Sequence, residues 1–202
     1  MPLLLLAAAA SAPLAAGEKT FKVRFDVDRL EGSKGDTGSF VVEVHPDWAP
    51  LGAQRIREIA QQKVWETARF FRVVPNFVVQ WGIPGKSSSA AKWREDKIKD
   101  DPVNKDISNL EGYVTFAKSG PDTRTTQVFI NLSDNQNLDS MGFPPFGKVV
   151  EGMDVVRRIN SKHGEEPDQG QIQASGNVYL KEKFPALTFI KKATLVAEEG
   201  EL

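Results

Sequence analysis

The chain has 202 residues, 40% of them hydrophobic and 26% charged, the proportions of an ordinary soluble globular protein with room for one well-cored domain and an appendage. Its 26 basic and 27 acidic side chains nearly cancel, so there is no positive field of the kind that nucleic-acid phosphates or acidic membrane surfaces attract. Cysteine is absent, which excludes disulfides, thiol catalysis and zinc–thiolate sites together.

Residues 1–16 are uncharged and mostly Leu and Ala, and the first ionisable side chain is Glu18. Their apolar core is interrupted by Ser11 and Pro13 and falls short of the roughly 20 residues that cross a bilayer. The segment reads as a secretory signal peptide without the usual positive start, with a floppy tail as the alternative. The expectation is an exported protein (periplasmic, lumenal or secreted), cytoplasmic if the leader does not function, with residues 17–202 as the folded domain and no membrane span in the mature chain.

From Thr20 the pattern alternates strictly, with Phe21, Val23, Phe25 and Val27 set against Lys22, Arg24, Asp26 and Asp28. Period two over that length predicts a strand with one buried face. A glycine-rich turn over 32–38 and a second alternation through Phe40, Val42 and Val44 complete a hairpin. Ala53, Ile56, Ala60 and Val64 then recur at helical spacing, starting close to Pro50, where proline is tolerated.

Phe70 to Gly82 reads F-F-R-V-V-P-N-F-V-V-Q-W-G, an apolar strand pair bent at Pro75-Asn76. Its polar side chains with chemical capacity are Arg72 and Gln80. An unpaired guanidinium is costly to bury, so Arg72 either points to solvent or is held over a groove. Residues 83–109 carry scattered apolar positions and read as a long surface excursion. Short strands resume at Tyr113–Ala117, Gln127–Ile130 and Phe146–Val150, followed by a helix over Gly152–Asn160, a loop from His163 to Gly176 and a last strand from Leu187 to Val196. His45 and His163 have no metal-binding spacing and are expected to be solvated surface residues. Asn131-Leu132-Ser133 is formally a glycosylation sequon, but it follows a buried strand and reads as incidental. Many short strands with two helices predict a barrel or sandwich capped by helices.

Three stretches in this order, F-F-R-V-V-P-N-F-V-V-Q-W-G, F-A-K-S-G-P-D-T-R-T-T-Q-V-F-I and F-G-K-V-V-E-G-M-D-V-V, resemble a cyclophilin-type peptidyl-prolyl cis/trans isomerase from about Phe21 to Leu195. The segments D-D-P-V-N-K and G-F-P-P-F-G and the tail from Asp168 to Leu180 are similar to a divergent branch found in bacteria and microbial eukaryotes. The resemblance implies a mainly β fold, a closed eight-stranded antiparallel barrel capped by two α-helices. It also implies an isomerase of X-Pro bonds that assists protein folding as a monomer on proline-containing polypeptides, without metal or cofactor. In that family the catalytic arginine corresponds to Arg72, and a glutamine that orients the substrate carbonyl corresponds to Gln80. Phe77, Val78, Phe129 and Leu138 match the proline pocket, with Val78 in place of the usual methionine. Gln127 matches a second groove glutamine, and Ala117, Lys118 and Ser119 match an edge that pairs with an extended peptide. Asn137 stands where many members have a tryptophan associated with cyclosporin binding, and Phe143 takes the place of a histidine.

Taken singly, these residues have plainer readings. Apolar strand residues are usually core, a lone arginine is usually a surface ion-pair partner, and glutamines often satisfy strand ends. Their joint spacing favours the site. Two other functions remain open at this level: a binding module for proline-containing segments with little turnover, and a ligand-carrying barrel. The bulky inward positions Phe21, Phe25, Phe40 and Phe116 suggest a filled interior and argue against the second.

Overall fold

A computed structural model describes residues 19–197. The expected leader, residues 1–16, lies outside the described residues. Eight strands, β1 (Phe21–Asp28), β2 (Thr37–Val44), β3 (Arg72–Val74), β4 (Val78–Trp81), β5 (Tyr113–Phe116), β6 (Val128–Asn131), β7 (Pro145–Glu151) and β8 (Phe189–Leu195), form one curled antiparallel sheet in the order β3-β4-β6-β5-β7-β2-β1-β8.

The alternation in β1 has its expected consequence: Phe21, Val23, Phe25 and Val27 are buried, and β2 pairs with β1 in register from Phe21–Val44 to Asp28–Thr37. Phe25 stacks on Phe40 with centroids 4.8 Å apart, and Trp65, Trp81 and Phe70 close around them. Among Val23, Phe25, Trp65 and Trp81 there is no room even for a water molecule, so the interior is filled and the ligand-carrying barrel is ruled out.

A closed barrel was expected, but the strand ladder is open. β3 and β8 are its two ends and do not pair with each other. The chain just before β3 occupies the place beside β8 instead: Thr67 N–H donates to Ile190 O at 2.8 Å and Phe70 N–H to Thr188 O at 3.0 Å. The chain leaves that seam before Arg72, and the three residues of β3 then bond only to β4 within the sheet.

Among the described residues six α-helices, besides a 3-10 turn at Leu30–Gly32, replace the expected two. The first, α1 (Pro50–Gln61), begins with proline as predicted and buries Ala53, Ile56, Ile59 and Ala60. Burying each isoleucine contributes about 1.5–3 kcal/mol. Its N-terminus has no local side-chain cap. Asp101 reaches it instead, accepting Leu51 N–H at 2.9 Å and Gly52 N–H at 2.8 Å. Residues 83–109 are therefore more than a surface excursion: they contain α2 (Ser87–Glu95), with Ala90 and Trp93 buried, and the fully buried Asp101 and Asn109.

A short α3 (Asn137–Ser140) follows β6, and α4 (Met153–Arg157) is shorter than the helix expected over 152–160: Gly152, at a left-handed φ of 77°, is its N-cap, and the helix stops at Arg157, three residues short of Asn160. The predicted loop before Gly176 is half helix. Asp168 caps α5 (Gln169–Ser175) by accepting Gln171 N–H at 2.7 Å, and α6 (Asn177–Lys183) follows at once. Ile172 and Leu180 bury themselves against Phe71, Ile83, Ala90 and Leu187, forming a small second core beside β3. No helix among the described residues is long and apolar enough to cross a membrane.

Neither histidine is freely solvated. His45 stacks on Trp48 with centroids 3.8 Å apart, and His163 meets the edge of Phe184 at 5.0 Å. The sequon asparagine Asn131 is fully buried, and its Nδ2 donates to Asn109 Oδ1 and Tyr113 O, which leaves that nitrogen no access to a glycosylating enzyme.

Candidate active site

The turn at Pro75-Asn76 reverses the chain between β3 and β4, with Asn76 at φ 61°, a conformation asparagine tolerates better than most residues. The register this sets pairs Arg72 with Gln80, and Gln80 in turn with Phe129 on β6. Direct partners in antiparallel strands project to the same face. Arg72, Gln80 and Phe129 therefore form a row across three strands on the outer face, and Val78 and Gln127 join it by period two. Val73, Val79, Trp81 and Ile130 fall on the opposite, core side.

All eleven residues singled out from the sequence line one groove of about 410 Å³: Arg72, Gln80, Phe77, Val78, Ala117, Lys118, Ser119, Gln127, Phe129, Leu138 and Phe143. Val78, Phe129 and Leu138 form its apolar floor, and Phe77, Ala117 and Phe143 pack against them. Phe143 meets Phe129 edge-on at 6.1 Å, so an aromatic ring does stand on the rim. Asn137 opens α3 and is exposed, without a ring to extend that wall.

The polar side is a chain of hydrogen bonds. Arg72 Nη1 donates to Gln80 Oε1 at 3.3 Å, and Gln80 Nε2 donates to Gln127 Oε1 at 3.0 Å. Because a guanidinium only donates, it dictates which way both amides face, and Gln127 is left with its NH2 group for the groove. The Arg72 guanidinium also lies 5.5 Å from the Phe77 ring centroid. Arg72 thus does not point free into solvent; it is held at the edge of an apolar pocket.

At the other end of the groove Lys118 pairs with Asp100 at 2.7 Å and lies over the Phe143 ring. Burial opposes charge on Asp100, but bonds from Lys118 and the Asp122 amide, with the charges of Lys118 and Arg124, outweigh it and hold its carboxyl below the usual carboxylate range. Behind it, Arg124 is 1% exposed and pairs with Asp101 at 3.0 Å. The amides of Ala117 and Ser119 are already committed, to Gln127 O and Thr123 Oγ1 respectively. The expected strand-like pairing of this edge with a peptide must use its other backbone groups.

Sequence reasoning missed three lining residues, Thr123, Thr125 and Gln169, and one partner, Glu165, whose Oε1 accepts Arg72 Nε–H at 2.6 Å. The threonines lie inside a recognised motif and were within reach of it. Glu165 and Gln169 sit about the predicted loop, and no local pattern links them to Arg72.

The family model described as cyclophilin type peptidyl-prolyl cis-trans isomerase/CLD matches residues 29–178. The chain belongs to the cyclophilin family. This cyclophilin is 33% identical over 131 residues to a peptidyl-prolyl cis-trans isomerase of Acinetobacter baylyi, covering 62% of this chain and 69% of the relative. It is 34% identical over 140 residues to a peptidyl-prolyl cis-trans isomerase-like 1 protein of Aspergillus oryzae, covering 67% and 86%. Among solved structures, a cyclophilin type isomerase of Cryptosporidium parvum superposes with a TM-score of 0.62 at 16% identity, over 89% of this cyclophilin and 99% of that chain. At that identity the likeness speaks for the fold alone. A second structure of the Cryptosporidium protein was determined in the presence of the dipeptide Ala-Pro.

Proposed function

We propose that this cyclophilin isomerises X-Pro bonds by donating a hydrogen bond from Arg72 to the prolyl nitrogen while the amide is twisted. Rotation meets a barrier of about 18–20 kcal/mol because the C–N bond is partly double. Twisting breaks that conjugation and returns a lone pair to the nitrogen. A donor fixed beside it stabilises the transition state and not the planar ground state, which is the condition for catalysis. No bond is broken, so no nucleophile or cofactor takes part.

The observation that carries this reading is the arrangement of Arg72: tied to Gln80, laid along Phe77, and opening on a floor of Val78, Phe129 and Leu138 wide enough for a proline ring. Gln80, expected to orient the substrate carbonyl, has its oxygen on Arg72 and its Nε2 on Gln127, so that role would pass to the remaining amide donors of Gln127. The Ala-Pro dipeptide with the Cryptosporidium relative is in keeping with a proline-sized pocket. A protease-coupled assay on an X-Pro peptide tests the reading. Acceleration that disappears in Arg72→Ala supports it; tight peptide binding without acceleration makes the protein a binding module instead.

We infer that the protein is exported, on the strength of the uncharged Leu/Ala segment at residues 1–16, and that it assists the folding of exported chains. The N-terminus of the mature protein from its native cell, and the fraction that contains it, test this; an intact Met1 in the cytoplasmic fraction is the contrary result.

A further inference from the structure

We propose that Glu165 is a positioning residue for Arg72, holding the guanidinium at the angle from which it can donate to a twisted prolyl amide; this rests on the catalytic reading of Arg72. Glu165 Oε1 accepts Arg72 Nε–H at 2.6 Å across 93 residues of sequence. The Glu165 side chain is 62% exposed and that of Arg72 27%. Exposed pairs contribute roughly 0–1 kcal/mol to stability. Fold stability is therefore a poor reason for building this one.

The backbone shows that it is built. Val73, the neighbour of Arg72, donates its N–H to the carbonyl of Gly164, the neighbour of Glu165, at 3.0 Å. Gly164 takes a left-handed φ of 48°, and turn bonds from Gly164 N–H to Ser161 O and from Glu166 N–H to His163 O flank it. His163 is seated on Phe184, and downstream Asp168 caps α5. The carboxylate is thus delivered to Arg72 by a segment anchored on both sides, not by a loose side chain.

Arg72 then has three constraints: Nε on Glu165, Nη1 on Gln80, and its face on Phe77. Together they block rotation about the last side-chain torsions. Among the described residues no partner takes Nη2, so its protons are the ones available to a peptide in the groove. Without Glu165 the guanidinium keeps one acceptor and can swing about it, and a donor displaced by an ångström loses much of its value in a transition state.

The test is steady-state kinetics on an X-Pro peptide with Glu165→Ala, Glu165→Gln and Arg72→Ala, together with the Nε–H resonance of Arg72 in each Glu165 variant. Glu165→Ala is expected to lower kcat about tenfold, with KM within about twofold and the thermal midpoint unchanged. Its Arg72 Nε–H signal should broaden through exchange with water. Glu165→Gln keeps an oxygen acceptor, so kcat should recover to within about threefold and the signal should sharpen again. Full kcat in Glu165→Ala while Arg72→Ala has lost it overturns the positioning role and leaves the catalytic reading standing. Equal losses in the Ala and Gln variants also overturn it, because they make the charge and not the contact responsible. Full kcat in Arg72→Ala removes the catalytic reading and this role with it.

Discussion

Arg72 and Gln80 are direct cross-strand partners in the β3–β4 hairpin, and Arg72 Nη1 donates to Gln80 Oε1 at 3.3 Å. A one-residue slip of that hairpin would send every side chain of the slipped strand to the other face, turning the arginine into the core and Val73 into the groove. The packed side made by Val73, Val79 and Trp81 forbids the slip, so the site's geometry is secured by the core beneath it.

Replacing Arg72 by Ala should lower kcat/KM on an X-Pro peptide by about a hundred- to a thousandfold, the usual effect of removing one donor aimed at a transition state. Arg72→Lys should recover little, since a single ammonium cannot meet both Gln80 and a substrate nitrogen from a fixed fork. Thermal unfolding should barely move in either variant.

Phe129 is 6% exposed and forms the pocket floor with Val78 and Leu138. Phe129→Ala should destabilise the fold by about 3 kcal/mol, the lower end for a phenylalanine, because its cavity opens to water. It should also raise KM for the peptide. Urea titration and steady-state kinetics read the two effects separately, and Phe129→Leu should be milder in both.

Arg124 and Asp101 form an ion pair with both side chains almost wholly buried, and Asp101 also caps α1. Removing one partner strands the other's charge, at about 3–5 kcal/mol. Arg124→Ala should therefore unfold several degrees earlier in a thermal melt, and Asp101→Asn, which can still cap, should lose less.

Acid should weaken this same corner. The Asp100 carboxyl has its pKa lowered in the folded state, despite the opposing effect of burial, by Lys118, the Asp122 amide and Arg124. Its unfolded value is near 3.9 (about the model-peptide value). A depressed folded pKa contributes stability that is fully present above the unfolded pKa and lost as pH falls through the folded one. Unfolding free energy should drop below about pH 4, where the unfolded carboxyl begins to bind its proton. Asp100→Asn should flatten that fall while leaving the neutral-pH slope unchanged.

What the sequence by itself determined was whatever depends on near neighbours in the chain. The alternation of Phe21 to Val27, the helix after Pro50, and the turn at Asn76 are all set by local periodicity and backbone preference. The groove residues were legible for the same reason: Arg72, Val78 and Gln80 share one hairpin, Gln127 immediately precedes the strand that holds Phe129, and Leu138 lies in one short helix with Phe143 just beyond its end. Tertiary structure alone decided the contacts that join distant segments. Asp101 caps a helix that begins 51 residues earlier, and the chain before β3 takes the seam beside β8 that a closed barrel would have given to β3. Helix α5 runs through the region read as loop because Ile172 finds a buried place against Phe71 and Ala90, a place that exists only once β3 and α2 are in position. Glu165 reaches Arg72 for a similar reason: its loop is fastened to the edge of β3 through the Gly164–Val73 backbone bond, a partnership that no periodicity within either segment encodes.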